Sequence, residues 1–501
     1  MSSRIIPFAP ELRPRLPTIV GNVDYLTLEQ QLREMDAFLR QSGLEQDFVE
    51  RALDRWTVSA KREVTALEQR KYQERSRRAL RCNVLRTLLQ MDYREFSCAL
   101  AGNPLYQWFC LIDAVDQVRV PSKSEAQRFA HWLPELDLRS IMDRVLKGAV
   151  QTPEKLGLEQ PLDLEEYFVD TTCLKANIHF PVDWVLLKDA VRTLMKATLL
   201  IRKQGLKERM ESPEEFLRKM NQLCIAMTHQ SRREEDGQGA KRALRKMKKI
   251  VRTVKEHARR HRQLLEAHWQ RTEWTRAQAE QVIQRIDGVL EQLPQALKQA
   301  HERIIGERLV ENKDKILSLY EPDVRVIVRG KAGARVEFGN TVLLGENRQG
   351  IILDYALYQE QAAADSQLVL GSLTRVRERL DRKVGAVVGD RGCSSQANSQ
   401  ALKDTETFDA LCPRDPKKLK ERMKEEKFAR LQRRRNQTEA RISILQRNFF
   451  GRPMRAKGFE HRYLALSWGV MTHNLWMFAR SRIEAAEAKA AEAKAAKAKA
   501  A

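Results

Sequence analysis

Cysteine is scarce in this chain and shows no organisation. The 501 residues hold 7, at Cys82, Cys98, Cys110, Cys173, Cys224, Cys393 and Cys412. The number is odd and no two form a C-x-x-C pair, so neither a disulfide framework nor a cysteine zinc site is encoded, and the seven read as reduced core thiols. No apolar run reaches the length of a transmembrane helix, which excludes a helical membrane protein. The first residues, with Arg4, Pro7, Pro10, Pro14 and Pro17, lack the apolar run of a signal peptide, and a cytoplasmic location is expected. Acidic residues are too few to balance the basic ones: 67 Asp and Glu stand against 90 Lys and Arg, leaving a formal charge of +23. Such a surplus points to a polyanion, and without a membrane segment the expected partner is nucleic acid. A basic protein that is merely soluble is the plainer reading of the same composition.

The length exceeds one ordinary domain, and 42% hydrophobic residues supply at least one real core. Residues 1–26 read as an extended Pro-rich arm. Residues 27–160 read as a helical N-terminal domain for DNA binding or assembly, with a packing domain that includes Phe129 and Trp132 as the alternative: Leu28, Leu32, Met35, Phe38 and Leu39 recur at helical spacing, followed by Phe48, Ala52, Leu53 and Trp56. Arg70, Lys71, Arg75, Arg77, Arg78 and Arg81 then form a basic cluster that lies either on DNA phosphates or on a solvated helix face. Shorter helices follow, broken at Gly102, Asn103, Pro104 and Pro121, with Ser122 or Ser124 as a cap.

Residues 189–319 contain almost no glycine or β-branched run. Leu217, Met220, Leu223 and Met227, then Val282, Ile286, Val289, Leu290 and Leu293, fall at helical intervals, and the stretch is too long for a loop, so it reads as a helical insertion. Its middle carries Lys241, Arg242, Arg245, Lys246, Lys248, Lys249, Arg252, Lys255, Arg259, Arg260 and Arg262, opposed nearby mainly by Glu256. Like charges on adjacent turns repel. A phosphate-binding helix is therefore favoured over a solvated face. Trp269 and Trp274 read as core, with stacking on an exposed base as the alternative.

Three acids stand apart by context. Asp170 lies within Tyr167-Phe-Val-Asp-Thr-Thr-Cys-Leu-Lys, a β-branched and aromatic stretch; Asp390 ends the buried-type strand Gly385-Ala-Val-Val-Gly; Glu439 lies inside a helix from Arg433 to Arg447. Two strand-borne aspartates and a helix-borne glutamate are what a two-metal phosphodiester-cutting site requires. Asp163, Asp183, Asp354 and Asp365 are acids of the right type, but none ends a buried strand, and they rank as surface or capping residues. Between the acids, Arg325 to Tyr358 reads as antiparallel strands turning at Glu346–Gly350, Ser366 to Asp381 as a helix, and Phe408 to Pro413 as a last short strand.

Four stretches, in order, carry a resemblance: VDTTCLKANIHFP with VDWVLL, LYEPDVRVIVRGKAGARVEFGN, VVGDRG, and TEARISILQRNFFGRPMRAKGFEHRYLALSWGVMTHNL. Together they resemble the DDE transposases of bacterial insertion sequences. The resemblance implies an α/β fold with an RNase-H-like catalytic core over residues 161–188 and 320–483, interrupted by the helical insertion and preceded by the α-helical domain. It implies a catalytic and metal-binding triad of Asp170, Asp390 and Glu439 holding two Mg²⁺ ions, with Mn²⁺ as an alternative. Asp170 would bridge both ions. Arg435, one turn before Glu439, matches the Arg of the family's Tyr, Arg, Glu, Lys signature, while Gln432 and Gln446 replace its Tyr and Lys. Implied partners are element terminal inverted repeats, target DNA and a second copy of the chain, since two ends need two sites, within a bacterial, nucleoid-associated setting. Arg452, Arg455 and Lys457 form a basic loop expected to hold DNA near the ions. A helix from Tyr463 to Arg480 should cover the sheet, and residues 484–501, only Ala, Glu and Lys, read as an exposed tail. A DNA-binding regulator that has lost catalysis and a nuclease that cuts without joining remain the competing functions.

Overall fold

The protein is described from a computed structural model covering residues 13–113, 117–230, 237–331 and 334–500. It is a mixed α/β structure, mostly helical, with one mixed sheet and no closed barrel. Of the Pro-rich arm, Arg4, Pro7 and Pro10 lie outside the described residues. From residue 13 the arm is tied down, because Arg13 pairs with Asp36 at 3.0 Å and lies over the Trp108 ring.

Seven helices come first: α1 (Val23–Gln41), α2 (Leu44–Ala60), α3 (Ala66–Leu88), α4 (Tyr93–Gly102), α5 (Pro104–Phe109), α6 (Lys123–Ala130) and α7 (Glu135–Gln151). Side chains of the preceding residues set several starts. Asn22 caps α1, Thr65 and Glu68 form a capping box on α3, and Ser122, not Ser124, caps α6. The basic cluster on α3 divides. Arg81 is fully buried and bonded to Glu45 at 2.6 Å and to Asp36, so it is a structural ion pair and not a phosphate contact. Arg75 is bound to Glu125. Phe129 is buried and Trp132 stacks on Tyr72, so both are packing residues.

Strand β1 (Glu166–Lys175) is followed by four helices, α8 (Asp183–Lys203), α9 (Pro213–Gln230), α10 (Gln238–His268) and α11 (Arg276–Ile304). They enclose an apolar interior of their own, built from Leu187, Leu194, Met220, Leu244, Val251, Ile286 and Leu293 among others. Trp269 and Trp274 pack against it. The ridge from Val282 to Leu293, open by sequence either to a second copy or to packing within the chain, packs into this interior, with Ile286 and Leu293 fully buried and Val282 and Leu290 partly so.

The chain returns through β2 (Arg325–Lys331), β3 (Ala334–Asn347) and β4 (Ile352–Leu357), then α12 (Asp365–Leu380), β5 (Ala386–Gly389), α13 (Gln396–Asp404), β6 (Phe408–Leu411), α14 (Pro416–Arg422), α15 (Glu426–Leu445) and α16 (Phe459–Ala500). The strand order is β2-β3-β1-β5-β6, with β4 also on β3. Pairing of β1 with β3, and of β3 with β2 and β4, is antiparallel, while β1–β5 and β5–β6 are parallel. Gly345 on β3 is required by packing: a Cβ there would stand 1.8 Å from the Tyr167 hydroxyl, which crosses it to reach Ser372.

Helix α16 does more than cover the sheet. Its Leu466 and Val470 pack on the β3–β4 side, whereas Trp468, Met471, Leu475 and Phe478 belong to a cluster shared with Leu32, Phe38, Phe48 and Val169. The N-terminal helices and the sheet thus have one continuous interior, to which each fully buried Leu or Phe adds about 1.5–3 kcal/mol. The tail continues α16 as an exposed helix, with Lys489 pairing to Glu159. Asp354 and Asp183 are buried, not superficial. Asp354 is bonded to Arg375 and Arg379, and Asp183 to Arg303.

Candidate nucleic-acid and carboxylate site

Alternation along β1 sends Phe168, Asp170 and Thr172 to the face covered by α15, and Tyr167, Val169 and Thr171 to the face covered by α12. Phe168 packs with Phe428 and Leu431 of α15, and Thr172 accepts from Gln446 at 2.8 Å. The parallel register pairs Glu166 with Ala386 and Phe168 with Val388; carried two residues further, it sets Asp170 level with Asp390. Asp390 follows directly on β5, at the carboxyl end of a parallel strand, where backbone pairing stops and side chains become accessible.

Asp170, Asp390, Glu439 and Arg435 all line one cleft of about 370 Å³. Its other walls include Thr171, Thr172, Val326 and the stretch 361–363 before α12. Asp170 Oδ1 accepts from the Thr171 amide at 2.8 Å, and Asp390 Oδ1 accepts from the Cys393 amide at 3.1 Å. These local bonds fix each carboxylate by its own backbone. Arg435 Nη1 donates to Glu439 Oε1 at 2.9 Å, and Arg435 Nε is buried in the cleft without a hydrogen-bond partner among the described residues. The part-exposed guanidinium beside half-exposed Glu439, not its buried Nε, is the portion that suits an entering phosphate.

The two glutamines at the signature's Tyr and Lys positions bind the sheet. Gln432 donates to Ala410 O at 2.6 Å and Gly389 O at 3.3 Å, and Gln446 donates to Thr172 Oγ1 and Cys173 O. They fasten α15 at both ends to the strands that carry Asp170 and Asp390.

Asp365, ranked by sequence as a surface or capping acid, lines the same cleft. It opens α12 and accepts from Thr171 Oγ1 at 2.9 Å. A Cβ on Gly392 would stand 2.9 Å from Asp365 Oδ2 and 3.1 Å from Asp390 Oδ1, so those oxygens converge on one point. A side chain at 392 would have to push one of these carboxylates aside. The buried Cys393 thiol reports the same convergence: burial first, then the charges of Asp390, Asp365 and Asp170, push its pKa well above the ordinary thiol value. Asn398 of α13 completes the support by donating to Cys393 O at 2.8 Å and Ser366 O at 2.7 Å. The one sequence signal for Asp365 was its place just ahead of a helix in the gap between two acid-bearing strands.

The donor set is all carboxylate oxygen, which fits a hard divalent cation. Among the described residues, however, no three His, Cys, Asp or Glu are drawn together tightly enough to clasp an ion. Glu439 is turned onto Arg435.

The basic residues of the helical block form a stripe on α10. Arg242, Arg245, Lys246, Lys249 and Arg252 are exposed and have no ion pair among the described residues. Lys241 pairs with Glu307, Arg259 with Glu256, Arg260 with Glu208 and Arg262 with Asp287, while Lys248 lies 3.3 Å from His301 and Lys255 is half-buried. The loop with Arg452, Arg455 and Lys457 does not reach the acids. Its Met454 amide bonds Lys175 O at the far end of β1, and Arg452 and Arg455 line a different cavity.

Among the described residues, no helix is long and apolar enough to cross a membrane. No family model, no curated protein and no solved structure matches the chain.

Proposed function

We propose that the chain is a DDE transposase of an insertion sequence, which binds element ends and catalyses metal-dependent DNA strand cleavage and strand transfer. The observation that carries this reading is Asp170 set level with Asp390 on adjoining parallel strands, with Glu439 and Arg435 of α15 on the same cleft. The strand arrangement supports an RNase-H-like core: an antiparallel set β4-β3-β1 extended by parallel β5 and β6, with α12 and α13 as crossovers. On this reading α8–α11 are the helical insertion between the first acid and the rest of the core.

Asp170, Asp390 and Glu439 would hold Mg²⁺ or Mn²⁺, which supplies fixed positive charge where oxyanions develop. The chain's own groups do the remainder. Arg435 holds Glu439 until DNA enters and then contacts a phosphate flanking the scissile bond. Asp365 holds Thr171, and through it the strand position of Asp170. The stripe on α10 binds DNA backbone without reading sequence. The working unit is a homodimer on paired ends, in the cytoplasm at the nucleoid, assembled through surfaces other than the inward-facing Val282–Leu293 ridge.

The open spacing of the acids favours, as a second reading, a DNA-binding regulator without catalysis. Incubating the protein with Mg²⁺, labelled element ends and target DNA separates the outcomes. Joined products support the transposase, nicks alone a nuclease, and a shifted band without cleavage the silent binder.

A further inference from the structure

A second cavity, of about 610 Å³, opens where the basic loop after α15 meets the N-terminal helices. Its lining holds four arginines from three parts of the chain: Arg86 of α3, Arg447 of the helical turn just after α15, and Arg452 and Arg455 of the loop. Its floor is apolar, with Phe449, Phe450 and Met454 all buried. The one acid among the lining residues, Asp92, is engaged in capping α4, accepting from the amides of Arg94 at 2.7 Å and Glu95 at 2.9 Å. One carboxylate against four guanidinium groups leaves the lining with a net positive charge.

Arg86 is the most informative member. Its guanidinium lies 4.6 Å over the Tyr93 ring and donates from Nη1 to Met91 O at 3.3 Å, yet its Nε is buried without a hydrogen-bond partner among the described residues. Burial, together with the charge of Arg455, pulls its pKa below the usual arginine value. Two like charges held close at a buried donor are costly unless an anion comes between them. The loop is attached to the end of β1: Met454 N donates to Lys175 O at 3.0 Å and Met454 bridges Ala176.

We propose that this cavity is a phosphate-binding site for the backbone of a DNA strand, so that α3 and the loop grip the strand that β1 presents to the acid cleft. The proposal rests on the DNA-binding reading above. Six residues of extended strand separate Asp170 from Ala176, about 20 Å at roughly 3.3 Å per residue. That span corresponds to about six base pairs of B-DNA at 3.4 Å each.

The test compares the wild-type chain with Arg452→Gln, Arg455→Gln and Arg447→Gln, all at exposed positions, and with Arg86→Gln checked for folding by circular dichroism. Duplex element-end DNA is the probe, read by salt-dependent affinity and by phosphate ethylation interference, with inorganic phosphate followed by phosphorus NMR. The expected result is a salt slope lower by roughly 0.9 for each phosphate that the variant no longer neutralises, and disappearance of interference at one phosphate about six base pairs from the cleaved bond. Wild-type binding with unchanged slope and interference in the three exposed variants overturns the pocket alone. Variants that lose inorganic phosphate but keep the DNA pattern make the ligand a free anion and also overturn it. A wild-type chain that binds no DNA overturns both this site and the function on which it rests.

Discussion

Thr171 Oγ1 donates to Asp365 Oδ1 across 2.9 Å, and this bond fastens the strand carrying Asp170 to the first turn of α12. Thr171 points away from α15 while its neighbour Asp170 points toward it, so the bond acts on the opposite face of the strand. Replacing Thr171 by Val keeps the β-branched shape and removes the donor. Thr171→Val and Asp365→Ala, each of which removes one partner of the bond, are expected to lower Mg²⁺-dependent cleavage by about 10–100-fold, the usual cost of losing a group that orients a metal ligand. Titrating Mg²⁺ is the discriminating measurement. A raised metal requirement fits a positioning role, whereas normal cleavage at every concentration removes Asp365 from the site.

Asp170→Asn, Asp390→Asn and Glu439→Gln should each abolish strand cleavage and leave DNA affinity unchanged or slightly improved, because carboxylates beside phosphates repel the ligand. Gel shift and cleavage on the same labelled ends give both quantities at once. An active Asp390→Asn protein would refute the assignment of the cleft.

The parts of this site legible in sequence are those with a local pattern. Asp170 sits in a β-branched run and Asp390 ends an Ala-Val-Val-Gly strand, so strand signals found both. Their common level comes from the parallel register between segments far apart in the chain, which no local pattern encodes. Asp365 escaped for the same reason: its partner Thr171 lies on β1 and its neighbour Gly392 in the turn after β5, both remote from it in sequence. Arg81 misled in the opposite direction. It lies in a run of basic residues, but helical rotation turns it onto Glu45 and Asp36, while the charges around it face elsewhere. The loop at Arg452 and Arg455 is basic as expected, and only its pairing with Lys175 and Ala176 shows that it serves another cavity.

On α10, Arg242, Arg245, Lys249 and Arg252 stand three or four residues apart and so share a face. Replacing all four by Gln is expected to weaken binding to every DNA sequence alike and to reduce the salt slope by roughly 0.9 for each phosphate left without its cation. Because these side chains are exposed, the variant's thermal unfolding should match the wild type. Affinity measured from low to moderate salt on two unrelated duplexes provides the check. An unchanged slope would make the stripe a solvated face.

His473 lies buried in α16, its ring edge-on to Phe449 at 5.2 Å, and burial first, with Arg441 adding to it, lowers its pKa to about 3. A hydrogen bond with Asn474 at 3.3 Å acts in the other direction but is outweighed. Unfolded, the same imidazole titrates near 6.5. Below that pH the unfolded chain takes up a proton that the folded chain refuses, so folding stability falls as pH drops from about 6.5 toward about 3. Above it, where both states are neutral, this group has no effect. For one such group the slope is at most about 1.4 kcal/mol per pH unit. His473→Asn removes the titrating ring and should therefore flatten the pH dependence, even if its stability at pH 7.5 is lower because a packed side chain has been removed. Urea unfolding of both proteins between pH 7.5 and 5 measures this directly. Parallel curves for variant and wild type would show that His473 takes no part, and would leave acid sensitivity to the other depressed histidines, His131, His257 and His261.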